Sequence, residues 1–279
     1  MTTFAPIALA ALLLAAPTLA PTAAPASAAP SATPQAPAAP SGLPPITPID
    51  PPLKGFYSKE VVYKGIPIMS SAVVSDAALY AAYQRVSMEL AHLPTVAENL
   101  AAAGAQVHII GKDQMTSDLP EFRSLKGKPL PAYGGLTIDQ RMRGLGGLWT
   151  SCGEENLLHL PGDRYAGRDI LIHEFAHNIR NHGIPASVRA LFDNQYKASL
   201  AKGLWVGAYA ATNPDEFFAE LSMWYFGTHG DEHMTGPKPA DGPAGLKAYD
   251  PDAYALFNRF YSGKIPIPRI TPVSDPDGH

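Results

Sequence analysis

Residues 168–183 read RDILIHEFAHNIRNHG, and the HEFAH at 173–177 is the stretch that decides the fold. Asp169 suits the start of a helix, and Gly183 followed by Pro185 ends one, so the spacing predicts a helix over about residues 169–182. Four residues turn a helix through about 400°, which puts His173 and His177 on one face, one turn apart. Their imidazoles can reach one zinc ion at about 2.0–2.1 Å. Glu174 projects beside that face, where it can take the proton of a water acidified by the ion. Ile170, Leu171, Ile172, Phe175, Ala176 and Ile179 are apolar on several sides of the helix. The helix is therefore largely buried, and buried histidines need partners. An amphipathic helix with two surface histidines does not explain that surround.

An open catalytic zinc site takes three protein ligands. The continuous solution, H-E-x-x-H-x-x-G-x-x-H, fails here because Arg180 stands at the glycine and Gly183 at the third histidine. His182 falls on the opposite face and suits a helix C-terminus. The other solution is a glutamate on a second helix. Residues 209–220 read YAATNPDEFFAE. Thr212 or Asn213 can cap a helix with Pro214 in its first turn, and Glu216 and Glu220 then stack one turn apart. One can bind the metal while the other accepts the N–H of a ligating histidine. Phe217, Phe218 and Trp224 around them argue against two solvated glutamates.

The pairing of HEFAH with Y-x-x-T-N-x-x-E-F-F-A-E resembles the lethal-factor-type metallopeptidases, zincins of the glutamate-ligand class. Tyr209, Thr212, Asn213, Glu216, Phe217, Phe218, Ala219 and Glu220 all fall in register. The resemblance implies that Glu216 is the third ligand of a single Zn2+ ion, that Tyr209 offers its hydroxyl to the oxyanion, and that Glu220 supports the ligand set from behind. A hydroxyl aimed at developing negative charge lowers the barrier of acyl transfer. The similarity spans about residues 169–226. The lethal factor's delivery regions have no counterpart in a chain of this length, so its choice of substrates does not carry over. The expected fold is α+β and zincin-like, a small sheet packed on a helical half with the metal helix in the cleft. The expected activity is secreted zinc-dependent hydrolysis of peptide bonds, with a peptide or protein as substrate. Two alternatives are a non-enzymatic metal-binding module, which Glu174 argues against, and a zinc amidase acting on a cell-wall polymer.

Outside these segments, the 279-residue chain has 46% hydrophobic and 16% charged residues and a net charge of −4. No basic block supports nucleic-acid or electrostatic membrane binding. The first 49 residues lack Asp, Glu, Lys and Arg, and Ile7–Ala20 is an apolar run followed by Ala26-Ser27-Ala28. That pattern reads as a signal peptide over residues 1–28, with secretion or the cell envelope as destination. The run is too short, and broken by Pro17, for a stable membrane span. The Pro/Ala-rich residues 29–52 read as an extended tether, leaving residues 53–279 as the catalytic domain. Cys152, the single cysteine, precludes an intramolecular disulfide and reads as a small buried hydrophobe.

Within the domain, residues 56–69 suggest one or two strands, residues 75–93 and 95–103 two helices, and Gln106–Ile110 a strand. Further helices are expected at about 185–200, 213–226 and 250–261. Residues 111–153 are Gly/Pro-rich with little periodicity, and a loop of that length often carries function. Asn156–Leu160 reads as a short strand against which substrate could add, making Asn156 and Leu157 candidate substrate contacts. Glu154 and Glu155 are either a solvated pair or selectors of a basic side chain.

Overall fold

β-branched and aromatic residues broken by Lys64-Gly65 form a hairpin, and the sheet grows from it. The computed structural model of the protein describes residues 42–270. The expected signal peptide, and residues 29–41 of the expected tether, lie outside the described residues. Strands β1 (Thr47–Leu53), β2 (Tyr57–Tyr63), β3 (Ile66–Ser70), β4 (Gln106–Ile110), β5 (Gly144–Leu145) and β6 (Trp149–Gly153) form one sheet in the order β1-β2-β3-β4-β6-β5. β1, β2 and β3 are antiparallel, β3, β4 and β6 run parallel, and β5 lies antiparallel to β6 at the far edge.

The parallel step from β3 to β4 needs a crossover, supplied by α1 (Asp76–Glu89) and α2 (Pro94–Ala103). Ser75 caps α1 by accepting the Ala78 N–H, and Gly104 ends α2 in the left-handed region at φ 80°. Alternation along β4 gives the sheet two buried faces. Val107 and Ile109 join Leu79, Val86 and Leu100 in the main core, whereas His108 and Ile110 face the other way.

The helical half comprises α5 (Ile170–Asn178), α6 (Ala186–Ala201), α7 (Pro214–Tyr225), α8 (Gly242–Tyr249) and α9 (Pro251–Tyr261). It is held by an aromatic cluster: Phe192 meets Phe218 edge-on at 4.7 Å and Phe257 at 5.2 Å, and Trp205 meets Trp224 at 5.2 Å. The fold is thus α+β with a small mixed sheet, as expected. Among the described residues, no helix is long and apolar enough to cross a membrane.

The far side of the sheet is covered by the long segment that lacks periodicity. Glu121 reaches back to the sheet, 2.5 Å from His108 Nδ1, and accepts the Tyr57 hydroxyl at 2.8 Å. Thr116 donates to the Met142 carbonyl at 2.6 Å, and Ser117 to Asp139 at 2.7 Å. Besides three short 3-10 turns, this segment holds one short α-helix, α3 (Ile138–Arg141), capped by Thr137. Arg143 anchors its end with two bonds to Glu155, at 2.7 and 2.6 Å, and one to the Gln114 carbonyl at 2.5 Å. These side-chain bonds replace regular secondary structure and set β5 at the sheet edge.

Three expectations need correction. Residues 47–52, the end of the expected tether, pair with β2 as an edge strand together with Leu53. An edge strand need not donate on its outer side, so it tolerates Pro48, Pro51 and Pro52. Asn156 and Leu157 belong to a short helix, α4 (Glu154–Leu157), and both are buried. Glu154 accepts the Ser75 and Lys112 N–H groups and Glu155 holds Arg143, so neither glutamate faces a substrate.

One buried group has a consequence for stability. Glu89, in the last turn of α1, is fully buried, and neither carboxyl oxygen has a hydrogen-bond partner. Burial pushes its pKa well above the ordinary range, Asp169 adding to the rise and His173 opposing it. The unfolded chain releases this proton near pH 4.3, as ordinary glutamates do, while the folded protein keeps it. The folded state is therefore favoured most below that pH and loses about 1.4 kcal/mol per pH unit above it until the folded group ionises. Glu89→Gln should raise the melting temperature, with a gain that grows between pH 5 and pH 8. A gain independent of pH would show that Glu89 ionises normally in the fold.

Candidate metal centre

α5 starts where Asp169 Oδ1 accepts the Ile172 N–H at 3.3 Å, and Arg85 holds the other Asp169 oxygen at 2.9 Å. Asn156 fixes the same end: its Oδ1 accepts the Ile170 N–H, and its Nδ2 donates to Asp163 and to the Arg168 carbonyl, each at 2.9 Å. At the other end, Asn178 donates to the Leu148 carbonyl at 3.1 Å, tying the helix to the sheet edge. Beyond Asn178 the helix widens into a π turn, Ile179–Gly183. α7 begins as expected, with Asn213 Oδ1 accepting the Glu216 N–H at 2.9 Å and Pro214 in the first turn. Arg180 clamps the two helices by donating to Asp215 at 2.5 Å.

This packing brings His173, His177 and Glu216 together. His173 Nε2 and His177 Nε2 are 3.2 Å apart, and Glu216 Oε2 lies 3.3 Å from the first and 3.5 Å from the second. A tetrahedral zinc ion with bonds of about 2.0–2.1 Å spaces its ligands by about 3.3–3.4 Å. The observed triangle matches that spacing. All three residues are buried, and neither Glu216 oxygen has a hydrogen-bond partner. The residues therefore fit a single divalent ion bound by two imidazoles and one carboxylate.

The charges agree with that fit. Burial alone would raise the Glu216 pKa, but the two imidazoles outweigh it and hold the carboxyl well below its ordinary range. Burial alone would lower the His173 pKa, but Glu216 and Glu220 push it well above its ordinary range. Glu220 Oε1 lies 3.0 Å from His173 Nδ1, which sets the ring so that Nε2 faces the cluster. Glu220 Oε2 in turn accepts the Asp231 N–H at 2.5 Å. Gly230 is required here, because a Cβ at this position would lie 2.1 Å from Glu220 Oε2. Sequence reasoning missed Gly230 and Asp231, and no periodicity or spacing marks them.

Glu174 is buried beside the triangle. Burial raises its pKa, with the two histidines opposing. Gly146 lets the sheet edge close over it, since a Cβ there would lie 3.1 Å from Glu174 Oε2 and 3.0 Å from His177 Cβ. Tyr209 sits in a short 3-10 turn, Tyr209–Ala211, with its ring stacked at 6.5 Å on that of His173. Burial, and then Glu216, Glu174 and Glu220, push its pKa upward, so its hydroxyl keeps its proton. His173, Glu174 and Tyr209 all line one cleft. Asn156 and Leu157 do not reach it. The edge of the sheet beside that helix is β5 with Gly146, not residues 156–160.

No protein-family model matches the chain, and no curated protein matches it. Among solved structures, it is similar to the Pro-Pro endopeptidase PPEP-2 from Paenibacillus alvei. The identity is 19% and the TM-score 0.47, over 71% of this chain and 97% of that one. A likeness at that level leaves the site to be read from this chain's own residues.

The two glutamates of α7 are expected to differ in metal affinity. Glu216→Ala removes a ligand and should abolish stable zinc binding. Glu220→Gln removes only the partner of His173 and should weaken zinc by about 10–100-fold. Competition titration with a chromogenic chelator measures both, and equal losses would mean that the roles of the two residues are wrongly divided.

Proposed function

We propose that the chain is a zinc-dependent endopeptidase of the zincin kind, similar to the lethal-factor-type enzymes, and that it is exported. The observation that supports this most is the buried Glu174 carboxylate, which adjoins a three-ligand triangle and lines one cleft together with His173 and Tyr209. A purely structural zinc site takes four protein ligands and has no use for a free carboxylate beside it. Export rests on the charge-free N-terminal segment.

A zinc ion held by His173, His177 and Glu216 would supply Lewis acidity, polarising a peptide carbonyl and acidifying water. Glu174 takes the proton of the attacking water and returns it to the departing amine nitrogen. Its raised pKa suits that exchange, since a base that binds its proton weakly cannot hold it until the C–N bond breaks. Tyr209, kept protonated, donates a hydrogen bond to the carbonyl oxygen as negative charge develops there. β5 is the last strand of the sheet, so a substrate backbone can pair along its outer edge in extended form. Glycines 144 and 146 keep that edge low over the helix, where a Cβ would press on Ile170 or on Glu174 and His177.

Glu174→Gln should lower turnover of casein or a peptide library by at least about 10²-fold while zinc content stays at one ion per chain. Proteolysis that survives this change would remove Glu174 from the chemistry. Tyr209→Phe should lower kcat by about 10²–10³-fold with a much smaller effect on KM. A loss confined to KM would make Tyr209 a substrate-binding group instead.

A further inference from the structure

Four buried or half-buried arginines of the domain illustrate what a paired guanidinium looks like here. Arg85 is bound to Asp169 at 2.9 Å, Arg143 to Glu155 at 2.6 Å, and Arg180 to both Asp193 and Asp215 at 2.5 Å. Arg180 still has a buried Nη1 without a partner, but the fourth, Arg168, has no carboxylate closer than 3.5 Å. It is 6% exposed, its Nη1 has no hydrogen-bond partner, and Asp231 Oδ2 stands off at 3.5 Å without completing a bond. Arg141, at the end of α3, shares the feature: its Nη2 is buried and has no partner. Both arginines line the cleft that also holds Glu174 and Tyr209.

An unpartnered buried donor is costly, and more so when it carries charge. Two on one wall mark a place where an acceptor is expected. Of the nearby carboxylates, Glu220 accepts the Asp231 N–H through Oε2 and stands 3.0 Å from His173 Nδ1, and Asp231 meets His233 through Oδ1 at 2.9 Å, leaving only its Oδ2 at 3.5 Å for Arg168. Aromatic rings support both guanidinium groups, with Tyr165 at 5.2 Å from Arg168 and Tyr133 at 5.9 Å from Arg141. Met142 and Ile170 supply apolar wall between them and the helix. A guanidinium presents its N–H groups as a planar fork, and the planar group that accepts such a fork through two oxygens is a carboxylate.

We infer that Arg141 and Arg168 form a carboxylate-binding subsite beside the reaction centre, so that the substrates are peptides carrying a carboxylate close to the scissile bond. This rests on the peptidase reading and names its substrate class. The carboxylate can come from an Asp or Glu side chain or from a free C-terminus, and the two sources are separable. In either case selectivity comes from the wall formed by α3 and the start of α5, opposite in sign to the basic selection considered for Glu154 and Glu155.

The test measures binding without turnover. Zinc-loaded Glu174→Gln protein is titrated with fluorescent peptides identical except for Glu against Gln, or for a C-terminal acid against an amide. At least a tenfold preference for the carboxylate member of one pair is expected. A preference in the first pair assigns the side chain, and in the second the C-terminus. Adding Arg141→Gln should bring that ratio towards one, and Arg141→Glu should invert it in favour of a Lys peptide. Zinc content and circular dichroism confirm that each variant is folded. Equal affinity within both pairs, or a ratio that Arg141→Glu leaves unchanged, overturns the inference. Wild-type cleavage of peptides with no preference for acids would sink this inference and leave the peptidase reading intact. Carboxylate-selective binding with no cleavage would do the reverse.

Discussion

Glu216 is an ionised carboxylate with no exposed surface and no hydrogen-bond donor to either oxygen. Burying such a group alone is prohibitively costly, and in proteins it survives only beside a cation or metal. The rest of the site follows from satisfying that one charge. Two imidazoles stand at 3.3 and 3.5 Å from it, and their mutual distance of 3.2 Å closes a triangle suited to one tetrahedral ion. α5 supplies two corners and α7 the third, so the helices must hold their relative positions to within a few tenths of an ångström.

The scaffold is arranged to hold them there. Asp169 and Asn156 fix the start of α5, Asn178 ties its end to the sheet, and Arg180 links it to Asp215 at the start of α7. Glu220 reaches across from α7 to set the ring of His173. Aromatic packing of Phe217 and Phe218 against Phe192 and Phe257 fixes the rotation of α7, which aims Glu216 and Glu220 at the histidines. On the other side, Arg143 and Glu155 bring the sheet edge over Glu174. Buried polar contacts at the helix ends and aromatic packing between them together hold the site rigid.

The helices that carry the candidate site were largely legible in the sequence because their signals are local. HEFAH needs only a helix to place two imidazoles together, and Asp169, Asn213 and Pro214 mark helix starts by their chemistry. The strands at 57–63, 66–70 and 106–110 were legible for the same reason, as was the burial of Cys152. The edge of the sheet was not. β6 reads WTSCG, with small polar residues in an inner strand, and its burial comes from α5, which the intervening loop folds back over it. β5 has two residues, too few to show alternation. The segment NLLHL has the apolar residues of a strand, yet Asn156 spends its amide on α5, and helix α4 results. The residues that brace Glu220, Gly230 and Asp231, act through a turn that only the folded chain assembles.

The central claim is that α5 and α7 present one three-ligand metal site. Anomalous diffraction at the zinc edge from crystals of the zinc-loaded protein tests it most directly. One strong peak is predicted, within about 2.0–2.2 Å of His173 Nε2, His177 Nε2 and a Glu216 oxygen, with Glu174 and Glu220 outside that distance. A peak elsewhere in the molecule, or an ion at this place that Glu216 does not touch, would contradict the account.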